Sequence, residues 1–157
     1  MSLEEFKVID ASTLPIGKLI TMIARGHTIY LNHHLEDFGI NASQLHLLFE
    51  ISHQKNINQE KIATRCNINK GAVARSIKKL EEKELVIREI DDENRRQNKV
   101  SLTSKGEEIL KESINLLNIW EDEVFSEEII EKKLLQQVLK EIAIKTIELN
   151  REGSKNG

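Results

Sequence analysis

The sequence predicts a mainly α-helical fold with one small β-hairpin, and three observations point there. Between Asn58 and Leu102 the hydrophobic period reads as two short helices joined by a tight turn, then switches to strand. Charge is concentrated on the same stretch. Residues 55–105 hold 13 Lys and Arg against 8 Asp and Glu, a net of +5, while the remainder holds 10 against 18, a net of −8. Long apolar-striped helices lie on both sides of it. Together these give a winged helix-turn-helix flanked by N- and C-terminal dimerisation helices, a motif that sets its second helix into a DNA major groove.

Composition bounds the alternatives. The chain has 157 residues, 39% hydrophobic and 31% charged, which suits a folded, helix-rich domain rather than disorder. No apolar run approaches the roughly 18 residues of a membrane span. No basic-then-apolar N-terminal segment resembles a signal peptide, so the expected location is the cytoplasm. The single cysteine, Cys66, excludes an internal disulfide and a cysteine zinc cluster. There is no Gly-rich phosphate loop and no nucleophile with a base in register, so an enzyme has no support and no cofactor is expected.

Taken in order, residues 1–11 read as a polar tail. A helix opens after Ser12-Thr13 with Pro15 in its first turn. Its apolar stripe runs through Leu19, Ile20, Ile23, Ala24, His27, Tyr30, Leu31, His34 and Leu35. That stripe is wide enough for burial on two sides, by its own domain and by a partner chain. Gly39 ends the helix or the turn after it. Asn41 and Gln44 have capping-box spacing, with Leu45, Leu48, Phe49 and Ser52 expected to face inward. His53 to Ile57 reads as a loop. Asn58 caps a short helix with Ile62 and Ala63 inside. Asn69 caps the next, where Val73, Ile77 and Leu80 form one buried stripe. Leu85–Ile90 and Lys99–Leu102 read as a hairpin with a charged tip from Asp91 to Arg96. Ser104 and Glu107 have the spacing of another capping box, opening a helix through Ile109, Leu110, Ile114, Leu117 and Trp120. Ser126 is expected to cap the last helix, with Glu127 and Glu128 in its first turn. Ile130, Leu134, Val138, Ile142 and Leu149 carry its stripe to about Asn150, and 151–157 read as tail.

The expected division is therefore 41–103 for DNA binding, 12–38 and 104–150 for dimerisation, and tails at 1–11 and 151–157. Left alone, the flanking helices would expose a large apolar surface, which two-fold pairing of two copies removes.

Five stretches in order resemble the MarR family of winged-helix transcription factors. Asn58-Gln59-Glu60-Lys61-Ile62-Ala63 resembles its T-Q-x-E-L-A helix, and Asn69-Lys70-Gly71-Ala72-Val73-Ala74-Arg75 its D-K-S-T-V-T-R recognition-helix start. Leu80-Glu81-Glu82-Lys83-Glu84-Leu85-Val86 resembles L-E-E-K-G-L-V, Asn94-Arg95-Arg96 the wing's D-x-R, and Leu102-Thr103-Ser104-Lys105-Gly106 L-T-x-K-G. Three departures stand out. Glu84 replaces a glycine at a left-handed helix end, so that end is open to a different construction. Asn94 replaces the wing aspartate and keeps its turn-forming side chain without the charge. Asn69 replaces the cap aspartate; it caps about as well but cannot pair with a wing arginine, which weakens the tie between recognition helix and wing.

The resemblance and the residues together nominate a DNA face: Asn69, Lys70, Gly71, Ala72, Ala74, Arg75, Lys78 and Lys79 on the second helix, and Arg95, Arg96 and Lys99 on the wing. The plain alternative for the helix cations is a solvated face. Their place on a recognition helix favours contact, divided between base edges and phosphates. By resemblance one of Arg95 and Arg96 enters the minor groove and the other braces the wing; which does which stays open. Lys99 is expected at a phosphate. The partners implied are double-stranded DNA with a pseudo-palindromic operator and a second copy of the chain.

Relatives in this family bind small aromatic acids, so a phenolic or aromatic-carboxylate effector is a further expectation. Lys18, Arg25, Tyr30, His46 and Arg88 are candidates by position, each weighed against an ordinary surface charge. His33, His34, His46 and His53 lack the spacing of a tetrahedral metal set. Cys66 reads as a packed structural thiol rather than a sensor. The reading is a DNA-binding transcriptional repressor. The alternative, a winged-helix protein-interaction module without ligand response, sits poorly with the basic middle.

Overall fold

The computed structural model describes residues 1–125 and 130–153. The expected cap at Ser126, with Glu127 and Glu128, lies outside the described residues. The chain divides into two compact units, Met1–Leu116 and Leu117–Gly157.

The first unit holds α1 (Leu3–Lys7), α2 (Ile16–Leu35), α3 (Ala42–Ser52), β1 (Ile57–Asn58), α4 (Gln59–Cys66), α5 (Lys70–Glu82), β2 (Val86–Ile90), β3 (Asn98–Leu102) and the first part of α6 (Ser104–Val124). The polar start is not plain coil. Ser2 and Glu5 form a reciprocal capping box over the single turn of α1. Pro15 sits at the N-cap of α2, one position before the expected first turn, and makes no side-chain cap. A 3-10 turn, Glu36–Phe38, follows α2 and ends at Gly39 with φ +68°. That left-handed corner is easy for glycine. Asn32 Oδ1 accepts the Ala42 N–H at 2.8 Å, joining α2 to the start of α3.

The capping box Asn41–Gln44 forms as expected. The buried face of α3 is Gln44, Leu45, Leu47, Leu48 and Ile51, so the expectation for Phe49 and Ser52 is corrected: both are exposed, Phe49 at 40%. Phe49 instead meets the ring of His53 edge-on at 4.4 Å, one turn on. Ile57 and Asn58, expected to end a loop and begin a helix, are also a strand. They make the sheet three-stranded in the order β1-β3-β2, with Ile57 opposite Val100 and Val86 opposite Leu102. Ile57 and Val100 are fully buried and close the core against Ile62, Val73, Ile77 and Leu80. Apolar burial of this kind is the main stabilising term, roughly 1.5–3 kcal/mol for each such side chain.

Helix α5 ends in a Schellman motif. The Leu85 N–H reaches the Leu80 carbonyl and the Glu84 N–H the Glu81 carbonyl, both at 2.9 Å. Glu84 adopts φ +60°, so the glycine-type ending is kept without glycine. The Glu84 carbonyl accepts the Thr103 hydroxyl at 2.6 Å, and the same hydroxyl accepts the Gly106 N–H at 3.0 Å. Thr103 thus caps α6, one residue before the expected Ser104. Gly106 lies so close to Leu85 that a Cβ there would stand 2.1 Å from the Leu85 carbonyl oxygen.

Most of α2 faces outward. Only Leu31 and Leu35 of its stripe are buried, while Ile20 and Ile23 are 43% and 53% exposed. The second unit holds the end of α6 and α7 (Lys132–Gly153), which runs past the expected end at Asn150. Lys132 pairs with Glu121 at 2.7 Å. Leu134, Val138, Leu139, Ile142, Ile144, Ile147 and Leu149 of α7 are all exposed. Among the described residues no helix is long and apolar enough to cross a membrane.

Candidate nucleic-acid interface

The site begins with α5. Val73, Ile77 and Leu80 anchor one side of it in the core, which turns the opposite side outward. Lys70, Gly71, Arg75, Lys78 and Lys79 are exposed there, while Ala72 and Ala74 are half-buried. Asn69 caps the helix through its side chain, which accepts the Gly71 N–H at 2.8 Å. A Cβ at Gly71 would lie 3.1 Å from Asn69 Oδ1 and 3.4 Å from an Arg75 guanidinium nitrogen. The small residue therefore leaves room for the cap and lets the Arg75 head group lie back over the helix start.

The wing tip is a compact turn. The Asp91 N–H donates to the Gln97 carbonyl at 3.0 Å, and the Gln97 N–H to the Asn94 carbonyl at 2.8 Å. Asp91 also accepts the Glu93 N–H, and Asn94 the Arg96 N–H, on their side-chain oxygens. Asn94 thus supplies the turn geometry by its amide oxygen. Arg95 and Arg96 project from this frame, both exposed.

Lys99 is paired within the wing. Its ammonium is 3.0 Å from Asp91 Oδ1, and Asp91 is 8% exposed. The Lys99 hydrogen bond holds the Asp91 carboxyl below the usual carboxylate range, and Asp91 in turn raises Lys99. The pair braces the wing from within.

The tie between recognition helix and wing is not missing; it is carried by a residue that sequence reasoning passed over. Glu60, in the first turn of α4, accepts the Lys70 ammonium on one carboxylate oxygen and the Gln97 side-chain amide on the other, the latter at 2.8 Å. Lys70 pulls the Glu60 carboxyl below its ordinary value. Lys83 is another long-range link, away from the wing: its ammonium donates to the Gly39 carbonyl, and its own carbonyl accepts Lys105 Nζ at 3.0 Å. Nothing in the local pattern flags either residue, because each acts on partners 10 to 44 positions away in the chain.

The five ligand candidates fall apart as a set. Lys18 and Arg25 are exposed on α2, and His46 is exposed on α3. Tyr30 lies against His34, the rings tilted by 50° with centroids 4.3 Å apart. Arg88 is taken up by Glu81 at 2.9 Å. None of them lines the cavity of about 520 Å³ bounded by Ile51, Lys55, Leu102, Glu107, Lys111 and Ile114. Cys66 is half-buried, and burial, followed by Glu50, pushes its thiol pKa up, away from reactive thiolate character.

The MarR family model matches residues 40–97. The transcriptional regulator BilQ of Clostridium symbiosum is 26% identical over 106 residues, 68% of this chain and 74% of BilQ. A crystal structure of MarR superposes with a TM-score of 0.80 at 29% identity, covering 92% of this chain and 98% of that one. The S. aureus MepR–DNA complex shares the fold with a TM-score of 0.75 at 19% identity, covering 86% and 98%. The family and these curated relatives are transcriptional regulators, not enzymes. The family model covers the winged helix-turn-helix at residues 40–97 and the likeness in fold extends over most of the chain, which together support a MarR-family winged-helix transcriptional regulator.

Proposed function

We infer that the chain works as a homodimeric repressor on a pseudo-palindromic operator, with the α5 helices of two copies in successive major grooves. The observation that carries this is the split of α5 into a buried stripe, Val73, Ile77 and Leu80, and an exposed cationic face, Lys70, Arg75, Lys78 and Lys79. Arg75, Lys78 and Lys79 divide between base edges and phosphates, and one of Arg95 and Arg96 reaches the flanking minor groove while the other braces the wing. That MepR, which shares the fold, forms a complex with DNA supports DNA as the partner.

Pairing is supported by the apolar residues left outside on α2 and α7, among them Ile20, Ile23, Val138 and Ile142. Soluble single chains rarely leave that much apolar helix uncovered. On this reading 12–38 and 104–150 dimerise and 41–103 reads DNA. A small aromatic carboxylate that changes the spacing of the two readers lowers operator affinity without touching a base contact. The cavity at Lys55 and Lys111, with Ile51, Leu102 and Ile114 as apolar walls, is the better-formed receptor for it.

Titration of operator duplex with wild type and Arg75→Ala tests the reading. The variant is expected to bind at least about fivefold more weakly, the low end for one bidentate base contact. Equal affinities would remove α5 from the interface.

A further inference from the structure

We propose that Glu60 is a positioning residue of the DNA reader: it fixes the wing to the start of the recognition helix and keeps the Lys70 charge from the DNA backbone. The geometry is a fork. One carboxylate, on α4, uses its two oxygens on two other elements, Lys70 at the first position of α5 and Gln97 at the base of the wing turn. Gln97 is the residue whose backbone closes that turn against Asp91 and Asn94. Its side-chain anchor therefore sets where Arg95 and Arg96 stand relative to α5. Gln59, Glu60, Lys70, Arg96, Gln97 and Asn98 line one polar cleft of about 280 Å³, so the fork sits at the junction of helix and wing. The MarR pattern leaves the position of Glu60 open.

Two consequences separate the two arms. Lys70 paired with Glu60 brings no net charge to a phosphate, because a phosphate that recruits Lys70 must displace the carboxylate and then lies beside it. The pair lowers binding to DNA of any sequence. The Gln97 arm preorganises the wing, which favours the operator, where helix and wing engage together. Glu60 thus trades general affinity for discrimination.

The test uses the full chain with its selected operator and a random-sequence duplex, each titrated at 50 and 200 mM salt. In Glu60→Gln the amide oxygen still accepts from Gln97, and Lys70 is released to a phosphate. One added phosphate contact steepens the salt slope by about 0.9, so a fourfold rise in salt weakens this variant about 3.5-fold more than wild type, on both duplexes. The extra steepness disappears in Glu60→Gln with Lys70→Met. Gln97→Ala keeps the slope, weakens operator binding about fivefold and leaves the random duplex unchanged, as expected for loss of one exposed hydrogen bond that orders the wing. Melting temperatures within about 2 °C of wild type confirm folded variants, since Glu60 is a surface residue. A wild-type slope in Glu60→Gln, or a steepening that persists without Lys70, overturns the proposal while leaving the DNA-binding reading intact. Absence of wild-type binding to either duplex overturns both.

Discussion

Glu84 holds a backbone conformation that its side chain disfavours, and replacing it tests the account of how the recognition helix ends. Its φ is +60°, at the C′ position of the Schellman motif that closes α5. An L side chain in the left-handed region costs of order 1–2 kcal/mol, part of which glycine gives back through its freer unfolded chain. Glu84→Gly is therefore expected to stabilise the fold by about 1 kcal/mol, which for a chain of this length raises the melting temperature by ~2–4 °C. Charge is the competing cause, because Glu84 lies with Glu81 and Glu82 near the negative end of the helix dipole. Glu84→Ala separates the two. It removes the charge and keeps the strain, so its gain is limited to a few tenths of a kcal/mol, about 1 °C. Thermal melts of the three proteins at one protein concentration decide it, the fixed concentration being needed because association shifts the transition. Equal gains for alanine and glycine would refute the conformational argument and assign the effect to charge.

Gly106→Ala pushes a methyl to 2.1 Å from the Leu85 carbonyl oxygen, a backbone atom that also accepts the Thr103 N–H at 3.1 Å. A loss of about 3 kcal/mol or more, seen as a fall in the urea midpoint, is expected, and an unchanged midpoint would show that α6 does not seat here. The Arg95→Ala, Arg96→Ala pair flattens the salt dependence of operator binding by ~1–2 in slope, whereas a wild-type slope would place both arginines away from the backbone and grooves. Asp91 and Lys99 predict a pH signature. The Asp91 pKa is depressed by folding, so its stabilisation is complete above about pH 4, the ordinary carboxylate value, and is lost as pH falls through the lower folded value. Asp91→Asn is thus less stable than wild type at pH 7, and the gap closes toward pH 2; a gap that stays constant between those pH values would show that the carboxylate does not brace the wing.

Local pattern made the helices and the hairpin legible. Asn41, Asn58 and Asn69 cap their helices as their spacing implies, and Val73, Ile77 and Leu80 are buried at helical intervals. Strand β1 was not legible because two residues, Ile57 and Asn58, carry no period of their own; only the partner Val100 defines them. The cap of α6 was displaced by one because both Thr103 and Ser104 have a hydroxyl, and the choice between them depends on the remote Glu84 carbonyl. The site shows the same limit. Exposed cations on α5 follow from its stripe. The pairing of Lys99 with Asp91, of Arg88 with Glu81 and of Glu60 with both Lys70 and Gln97 depends on tertiary neighbours. Glu84 is the instructive case: the sequence departure invited a different helix end, yet Leu85 and Val86, both buried, hold the chain in the left-handed turn regardless.

The central claim is that two copies of this reader act together on DNA through α5. Selection of bound sequences from a random duplex pool tests it in one measurement. The account predicts an enriched inverted repeat whose half-site centres lie about one helical turn, roughly 10 base pairs, or a multiple apart. Enrichment of a single unrepeated site, or none above the starting pool, would contradict it.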